Sequence, residues 1–408
     1  MSESSPRAET IICLASYFKG GEFLRECKAL GFRVILVTKE KLLKEDWPRE
    51  SLDDIVAVPD DAGTEILTHV VSQLARSVKI YRLVALEEYD VITAGLIREH
   101  LCLPGMTSAQ ARIFRDKLSM RVRAQEAGIL VPDFVHVLNY ERLHDFMQRT
   151  PAPWVLKPRS DVSAMGIKKM RDSEQVWRAI DELDARERLN EKSSYYLLER
   201  FVPGEVFHVD SGVAGGKVVF AGVNRYGRPP MDVAHGGGVF ISHTVNYNSA
   251  DRRNLLKINR KLIKSLGLKD GAAHAEFIKS ERDGQFYFLE IAARVGGAYI
   301  AETLEAASGI NIWREWARIE TADRARPYHA PQAALAYGGI VLSLARQEYP
   351  DTSSYTDPEI VYRVRKRYHA GLVVRAAKLE RVEELLEQYA RRFAEEFTAV
   401  APPPERPA

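Results

Sequence analysis

The chain has 408 residues, 46% hydrophobic and 28% charged, with 26 Gly and 19 Pro. At about 100–200 residues per domain this suggests roughly two to four units, and the mixture excludes wholesale disorder, collagen-like repeats and a disulfide scaffold. Net charge is +2 from 58 basic and 56 acidic residues, which is no electrostatic footprint for nucleic acid.

Cys13, Cys27 and Cys102 stand without CxxC or Cys/His spacing, which suits a reducing, cytoplasmic setting and argues against structural zinc. The first ten residues lack the apolar core of a signal peptide. The longest run free of charged residues, 327–345, is broken by His329, Pro331, Gln332, Gly338 and Gly339, so no membrane span is expected.

From Thr10 to about Gly105, short apolar runs (10–15, 33–38, 55–58, 83–86) alternate with helical-length segments, as in a parallel sheet covered by helices. The first strand runs into Ala15-Ser-Tyr-Phe-Lys-Gly-Gly-Glu22, not G-x-G-x-x-G, which disfavours a dehydrogenase. Residues 108–128 read as one helix, from a Ser108 cap to a Gly128 stop. Strands are expected at 134–138, 154–157, 167–170 and 195–199, with helices at 140–149 and 173–186 between them. From 206 to 291 the pattern is hairpins, interrupted by a helix at 251–266, and a further helix is expected around 299–307. The last part has strands near 340–346 and 371–375. It closes on a helix in which Val382, Leu385, Leu386, Tyr389, Phe393 and Phe397 recur at three- and four-residue spacing. The Pro-rich end, 399–408, reads as a disordered tail.

The sharpest chemical signal is the hairpin Ala273-His-Ala-Glu-Phe-Ile278 followed by Phe286-Tyr-Phe-Leu-Glu-Ile291. A two-residue Asp283-Gly284 turn would put Glu276 and Glu290 on opposite faces. A three-residue Arg282-Asp283-Gly284 loop, with Gly in the left-handed position, sets them face to face. Two opposed carboxylates on a largely apolar hairpin call for a cation, and magnesium takes oxygen ligands of this kind.

Arg294, Gly296 and Gly297 follow, a cation for phosphate or carboxylate and two glycines that let backbone approach a ligand. Upstream, Lys157 ends an apolar strand before the small-residue loop 160–166, a pattern suited to phosphate. Arg225, Arg228, His235 and three glycines in 224–238 make a cation-bearing loop suited to a carboxylate, and equally readable as a long polar hairpin connection.

Taken in order, Asp116-Lys117, Lys157-Pro, Glu199 through Gly204-Glu205, Glu276, and Glu290 through Arg294 resemble the ATP-grasp superfamily, especially its carboxylate–amine and amino-acid ligases. The resemblance implies an α/β and α+β ATP-grasp fold. It divides into an N-terminal Rossmann-like parallel-sheet domain at 1–105, an ATP-grasp domain at 106–325 with a lid at about 131–202, and a small C-terminal α+β part at 326–398. It implies ATP and Mg2+ as cofactors, with Mn2+ as an alternative ion, and a small-molecule carboxylate and an amine as partners. A homodimer is compatible with it.

By resemblance, Lys117 and Lys157 are the phosphate-side lysines, and Ser160, Ser163 and Gly166 belong to the loop closing on the phosphates. Glu199, Phe201 and Val202 belong to the hinge at the adenine edge, Glu205 meets the ribose, and Leu289 lies against adenine. Glu276 and Glu290 become metal ligands, Arg294 and Lys157 catalytic cations, and Arg225, His235, Gly296 and Gly297 substrate contacts. Two departures stand out: Ala292 occupies the position where the family usually has a metal-ligating Asn, and the phosphate loop has only Gly166 where relatives often have several glycines. The expected reaction is ADP-forming C–N ligation through an acyl-phosphate. A biotin-carboxylase-like or purine-type enzyme and a non-catalytic ATP-binding module remain alternatives.

Overall fold

In the computed structural model, residues 9–160, 166–229 and 238–399 are described. The expected disordered tail beyond residue 399 therefore lies outside them, as do Ser163 and His235.

The N-terminal strands β1 (Thr10–Ala15), β2 (Arg33–Lys39), β3 (Asp54–Val58) and β4 (Ile80–Ala85) form a parallel sheet in the order β3-β2-β1-β4. Every residue of β1 is buried, as expected of a strand covered on both faces by helices α1 (Gly21–Ala29), α2 (Thr64–Ala75) and α3 (Val91–His100). The strand order reverses between β1 and β4, so the loops leaving their carboxyl ends diverge and open a crevice.

The single helix expected over 108–128 is two: α4 (Ser108–Ile113) and α5 (Lys117–Glu126). Asp116 causes the break, because its carboxylate caps the Leu118 and Ser119 N–H groups and starts a new helix at Lys117. Beyond it, β5 (Phe134–His136), β6 (Trp154–Pro158), β7 (Lys168–Met170) and β8 (Tyr196–Arg200) make an antiparallel sheet ordered β5-β8-β6-β7. Helices α6 (Tyr140–Arg149) and α7 (Ser173–Asp184) share its apolar core.

The remaining strands are β9 (Gly204–Ala214), β10 (Lys217–Tyr226), β11 (Phe240–Thr244), β12 (Gly271–Ser280), β13 (Phe286–Ala292), β14 (Tyr337–Leu344), β15 (Ile360–Arg363) and β16 (His369–Ala376). They form one sheet ordered β13-β12-β9-β10-β11-β14-β16-β15. The expected boundary at 325/326 lies in the connection before β14, and the sheet runs across it because β14 pairs with β11. Helix α8 (Ala250–Leu266) covers one end of this sheet through Leu255, Leu262 and Ile263.

Helices α9 (Ile300–Ser308) and α10 (Ile312–Thr321) follow β13, and α10 has no counterpart in the expected elements. The closing helix α11 (Leu379–Glu396) buries the expected stripe from Val382 to Phe393. Each large apolar side chain so buried contributes about 1.5–3 kcal/mol. The N-terminal unit docks on α10, where Phe23 meets Trp316 edge-on at 5.2 Å and Arg314 and Arg318 pair with Glu22 and Glu26. Among the described residues, no helix is long and apolar enough to cross a membrane.

Candidate active site

Strands β12 and β13 bring Glu276 directly opposite Glu290. The three-residue loop anticipated for this pairing is not how it is reached. Ser280 and Gln285 close a four-residue connection, with Gly284 left-handed at φ +67. Left alone, that register would set Glu276 against Leu289. A bulge between Glu276 and Phe277 absorbs the extra residue and restores the carboxylate pair.

Lys117, the first residue of α5, places its ammonium 3.1 Å from the Glu290 carboxylate. Burial by itself would raise the Glu290 pKa, but Lys117, Lys157 and Arg121 reverse that and hold it at about 2. Glu88, Lys117, His274, Glu290, Ala292 and Arg294 line a single cleft. It joins the crevice of the parallel sheet to the β12–β13 hairpin.

Lys157, at the end of β6, points to the buried Glu199 of β8, which also takes Arg121 Nε at 3.1 Å and Nη2 at 3.0 Å. Burial and the Arg121 charge push the Lys157 pKa down to about 8, against the pull of Glu199. Arg121 is fully buried and also donates to the Leu289 carbonyl, so α5, β8 and β13 meet on one guanidinium. This residue was not anticipated. An Arg in mid-helix beside Lys117 carries no sequence signal separating it from a solvated one.

Just past β8, the Phe201 N–H donates to the Pro153 carbonyl at 3.1 Å, and Lys169 stands 3.6 Å from the Phe201 ring centre. Val202, Val206 and Ile278 form an apolar cluster with Leu289 packed at its edge. Glu205 bonds Arg225 at 2.6 Å, so residues assigned to the ribose and to the carboxylate substrate are paired with each other. The Ser160 carbonyl accepts from Arg115 at 2.6 Å, and Gly166 is left-handed at φ +68.

Arg294 reaches across to the N-terminal unit, with its Nε and Nη2 at 3.1 and 2.9 Å from one oxygen of Glu88. Arg115 binds the other Glu88 oxygen, and the neighbouring Glu87 pairs with Lys19 at 2.5 Å. Burial alone would lower the Arg294 pKa; Glu88 and Glu87 raise it instead. Glu87 and Glu88 were missed in the sequence. The available signal was their position immediately past β4, at the point where the strand order reverses.

The two glycines after Arg294 differ in what constrains them. A Cβ on Gly296 would stand 2.9 Å from Asp210 and 3.0 Å from His274, whereas Gly297 faces open space. Ala298 and Tyr299 then take left-handed backbone at φ +52 and +59, a strain of about 1–3 kcal/mol each that marks functional loops.

Behind Glu276 runs a buried polar chain. Tyr226 donates to Glu276 Oε1 at 2.8 Å, and His274 Nε2 lies 3.4 Å from the same oxygen. His274 Nδ1 and His208 Nδ1 flank the two oxygens of Asp210 at 2.9 and 2.6 Å, and His208 Nε2 meets Ser242 at 2.7 Å. Burial works to lower the His274 pKa, but Asp210 and Glu276 lift it to about 10.

Comparison with known proteins identifies the fold as that of an ATP-grasp protein: residues 150–302 match the family model of the ATP-grasp domain. The L-arginine-specific L-amino acid ligase of Bacillus subtilis is 23% identical over 265 residues, which span 64% of this chain and 62% of that relative. Among solved structures, the L-amino acid ligase from Bacillus licheniformis is similar at a TM-score of 0.75 and 18% identity, over 98% of this chain and all of that one. The biotin carboxylase domain of the Hydrogenobacter thermophilus 2-oxoglutarate carboxylase, solved with MgADP and bicarbonate, gives 0.72 and 15% over 97% and 92%. Residues 150–302 thus carry an ATP-grasp domain.

Proposed function

We propose that the chain is an ATP-dependent carboxylate–amine ligase acting on amino acids or similar small carboxylates. The observation that carries this reading is the opposed Glu276–Glu290 pair with Lys117 at its edge. The Lys117 ammonium standing at Glu290 supports a cation site there, and its oxygen donors suit magnesium, with manganese as the alternative. When bound there, the divalent ion supplies charge neutralisation for the transferred phosphoryl group.

A carboxylate oxygen of the substrate attacks the γ-phosphorus of ATP, the bridging P–O bond breaks, and ADP leaves. The amine nitrogen then attacks the acyl carbon, the C–O bond to phosphate breaks, and the amine loses a proton as inorganic phosphate departs. In this scheme Lys157 and Lys117 take the phosphates once released from Glu199 and Glu290. Arg294 holds the acyl-phosphate, and the Gly297 backbone faces the substrate. Phe201, Val202 and Leu289 wall the adenine, with Glu205 at the ribose. Positioning and electrostatics carry such chemistry, so no nucleophilic triad is required. The three unpaired cysteines fit work in a reducing cytoplasm.

The test is ADP release over a panel of amino acids, other carboxylates and bicarbonate, with hydroxylamine present. Hydroxamate formation with amino acids supports the reading. ADP release with bicarbonate alone would favour a carboxylase-like enzyme, and no carboxylate-dependent release would overturn ligation.

A further inference from the structure

Resting on the reading of Lys157 as a phosphate cation, we propose that Arg121 is a positioning residue of the nucleotide site. It is the resident counter-ion of Glu199, and its charge is what lets Lys157 leave that acid for a phosphate.

The two oxygens of Glu199 are divided between the two cations. Oε2 belongs to Arg121, with Nε at 3.1 Å and Nη2 at 3.0 Å, and Oε1 belongs to Lys157. Lys157 can therefore withdraw without disturbing the Arg121 contact.

The two partners differ in freedom. Arg121 lies on the buried face of α5 with Met120 and Ala124 and is itself fully buried. Its Nη1 donates to the Leu289 carbonyl of β13, and its guanidinium stands 5.7 Å from the Phe288 ring centre. A rigid planar fork tied at once to β8 and β13 cannot follow a ligand. Lys157 instead carries a compact ammonium on a flexible four-carbon stem. Among the described residues, Glu199 is the only hydrogen-bond or ion-pair partner of that ammonium.

Burial explains why Glu199 needs a second cation. Its side chain is 5% exposed, against 37% for Glu290, so water can meet Glu290 when Lys117 departs but has no such access to Glu199. A buried carboxylate stripped of its partner is strongly destabilising. With Lys157 as sole partner, that penalty would oppose every phosphate that draws the lysine away. Arg121 removes it. Two cations on one acid also leave the buried trio with a surplus positive charge, which an anionic phosphate offsets.

The test is calorimetric titration of ADP with excess Mg2+ into the full chain at pH 7, for Arg121→Met, Glu199→Gln and the two combined. Arg121→Met should bind ADP at least about tenfold more weakly than the unsubstituted protein, because Lys157 is then the only counter-ion left to Glu199. Adding Glu199→Gln removes the stranded charge and should bring affinity to within about threefold of Glu199→Gln alone. A merely structural Arg121 would not be rescued by a second substitution. ADP affinity in Arg121→Met close to that of the unsubstituted protein would overturn the proposal. A double variant that binds much more weakly than Glu199→Gln would overturn it equally. That second comparison decides alone if Arg121→Met does not fold, since neither of its proteins contains the stranded charge. An unsubstituted protein that binds no ADP, or Lys157→Met that binds it undiminished, would instead defeat the reading of Lys157, and this proposal with it.

Discussion

Lys117 stands 3.1 Å from Glu290, so a cation expected at the phosphates occupies the carboxylate expected at the metal. Lys157 of β6 and Glu199 of β8 repeat the arrangement. Each lysine thus stands beside an acid and is available to a ligand that brings its own charge.

Glu290→Gln keeps the shape and removes one carboxylate of the pair. Metal stabilisation of the transferring phosphoryl group is worth several kcal/mol, and about 1.4 kcal/mol is tenfold in rate. Turnover should fall by about 10²–10³ in an ADP-release assay, with the circular dichroism spectrum unchanged. Activity within a fewfold of the parent would remove Glu290 from the metal site.

Glu199 is the acid on which Lys157 and Arg121 converge, and its side chain is 5% exposed. Removing one partner from a buried charged group leaves the others uncompensated, at a cost of roughly 3–5 kcal/mol. Glu199→Ala should lose about that much stability in urea denaturation. A loss below about 1 kcal/mol would mean that water replaces the carboxylate and the triad is not structural.

The contrast between Glu276 and Glu88 shows what was legible in the sequence. Alternation along two strands, with a Gly-containing turn between them, placed Glu276 against Glu290 although the route was a bulge and not a shorter loop. Residues inside one regular element announce their faces. Glu88 makes its contact with Arg294 across 206 positions, and Leu-Glu-Glu-Tyr-Asp reads as any helix start. Asp210 was hidden likewise, since a strand Asp has meaning only once its neighbouring strands are known. The strand order and the docking of the N-terminal unit on α10 carry that information.

Glu88 is therefore the residue to change at the domain junction. Its two oxygens are shared between Arg115 and Arg294. Hydrogen bonds to charged groups are worth about 1.5–3 kcal/mol. Glu88→Gln should lower kcat/KM for the carboxylate substrate by about 10–100-fold by freeing Arg294, with ADP affinity changed less than about threefold. Unaltered carboxylate kinetics would show that Arg294 holds its place without Glu88.

In the proposed site, Lys157 should set the pH dependence of nucleotide binding. Burial and the Arg121 charge leave its pKa at about 8 in the unliganded protein, below the 10.5 of a free lysine. The folded protein therefore holds fewer protons than the unfolded chain between about pH 8 and 10.5. On this group's account stability rises with pH through that window, and the penalty for burying the ammonium is present in full below pH 8. Phosphate binding has the opposite sign, because anionic phosphates stabilise the ammonium and raise its pKa in the complex. ADP affinity should be flat up to about pH 8, then fall by as much as tenfold per unit until the pKa of the complex is reached. Phosphate's own second ionisation, near 6, lies below this window and does not mimic the effect. Lys157→Arg keeps its charge throughout and should abolish the alkaline fall, whereas Lys157→Met should bind weakly at every pH. Calorimetric titration of ADP between pH 7 and 9.5 reads all three. A fall above pH 8 that persists in Lys157→Arg would assign the titration to another group.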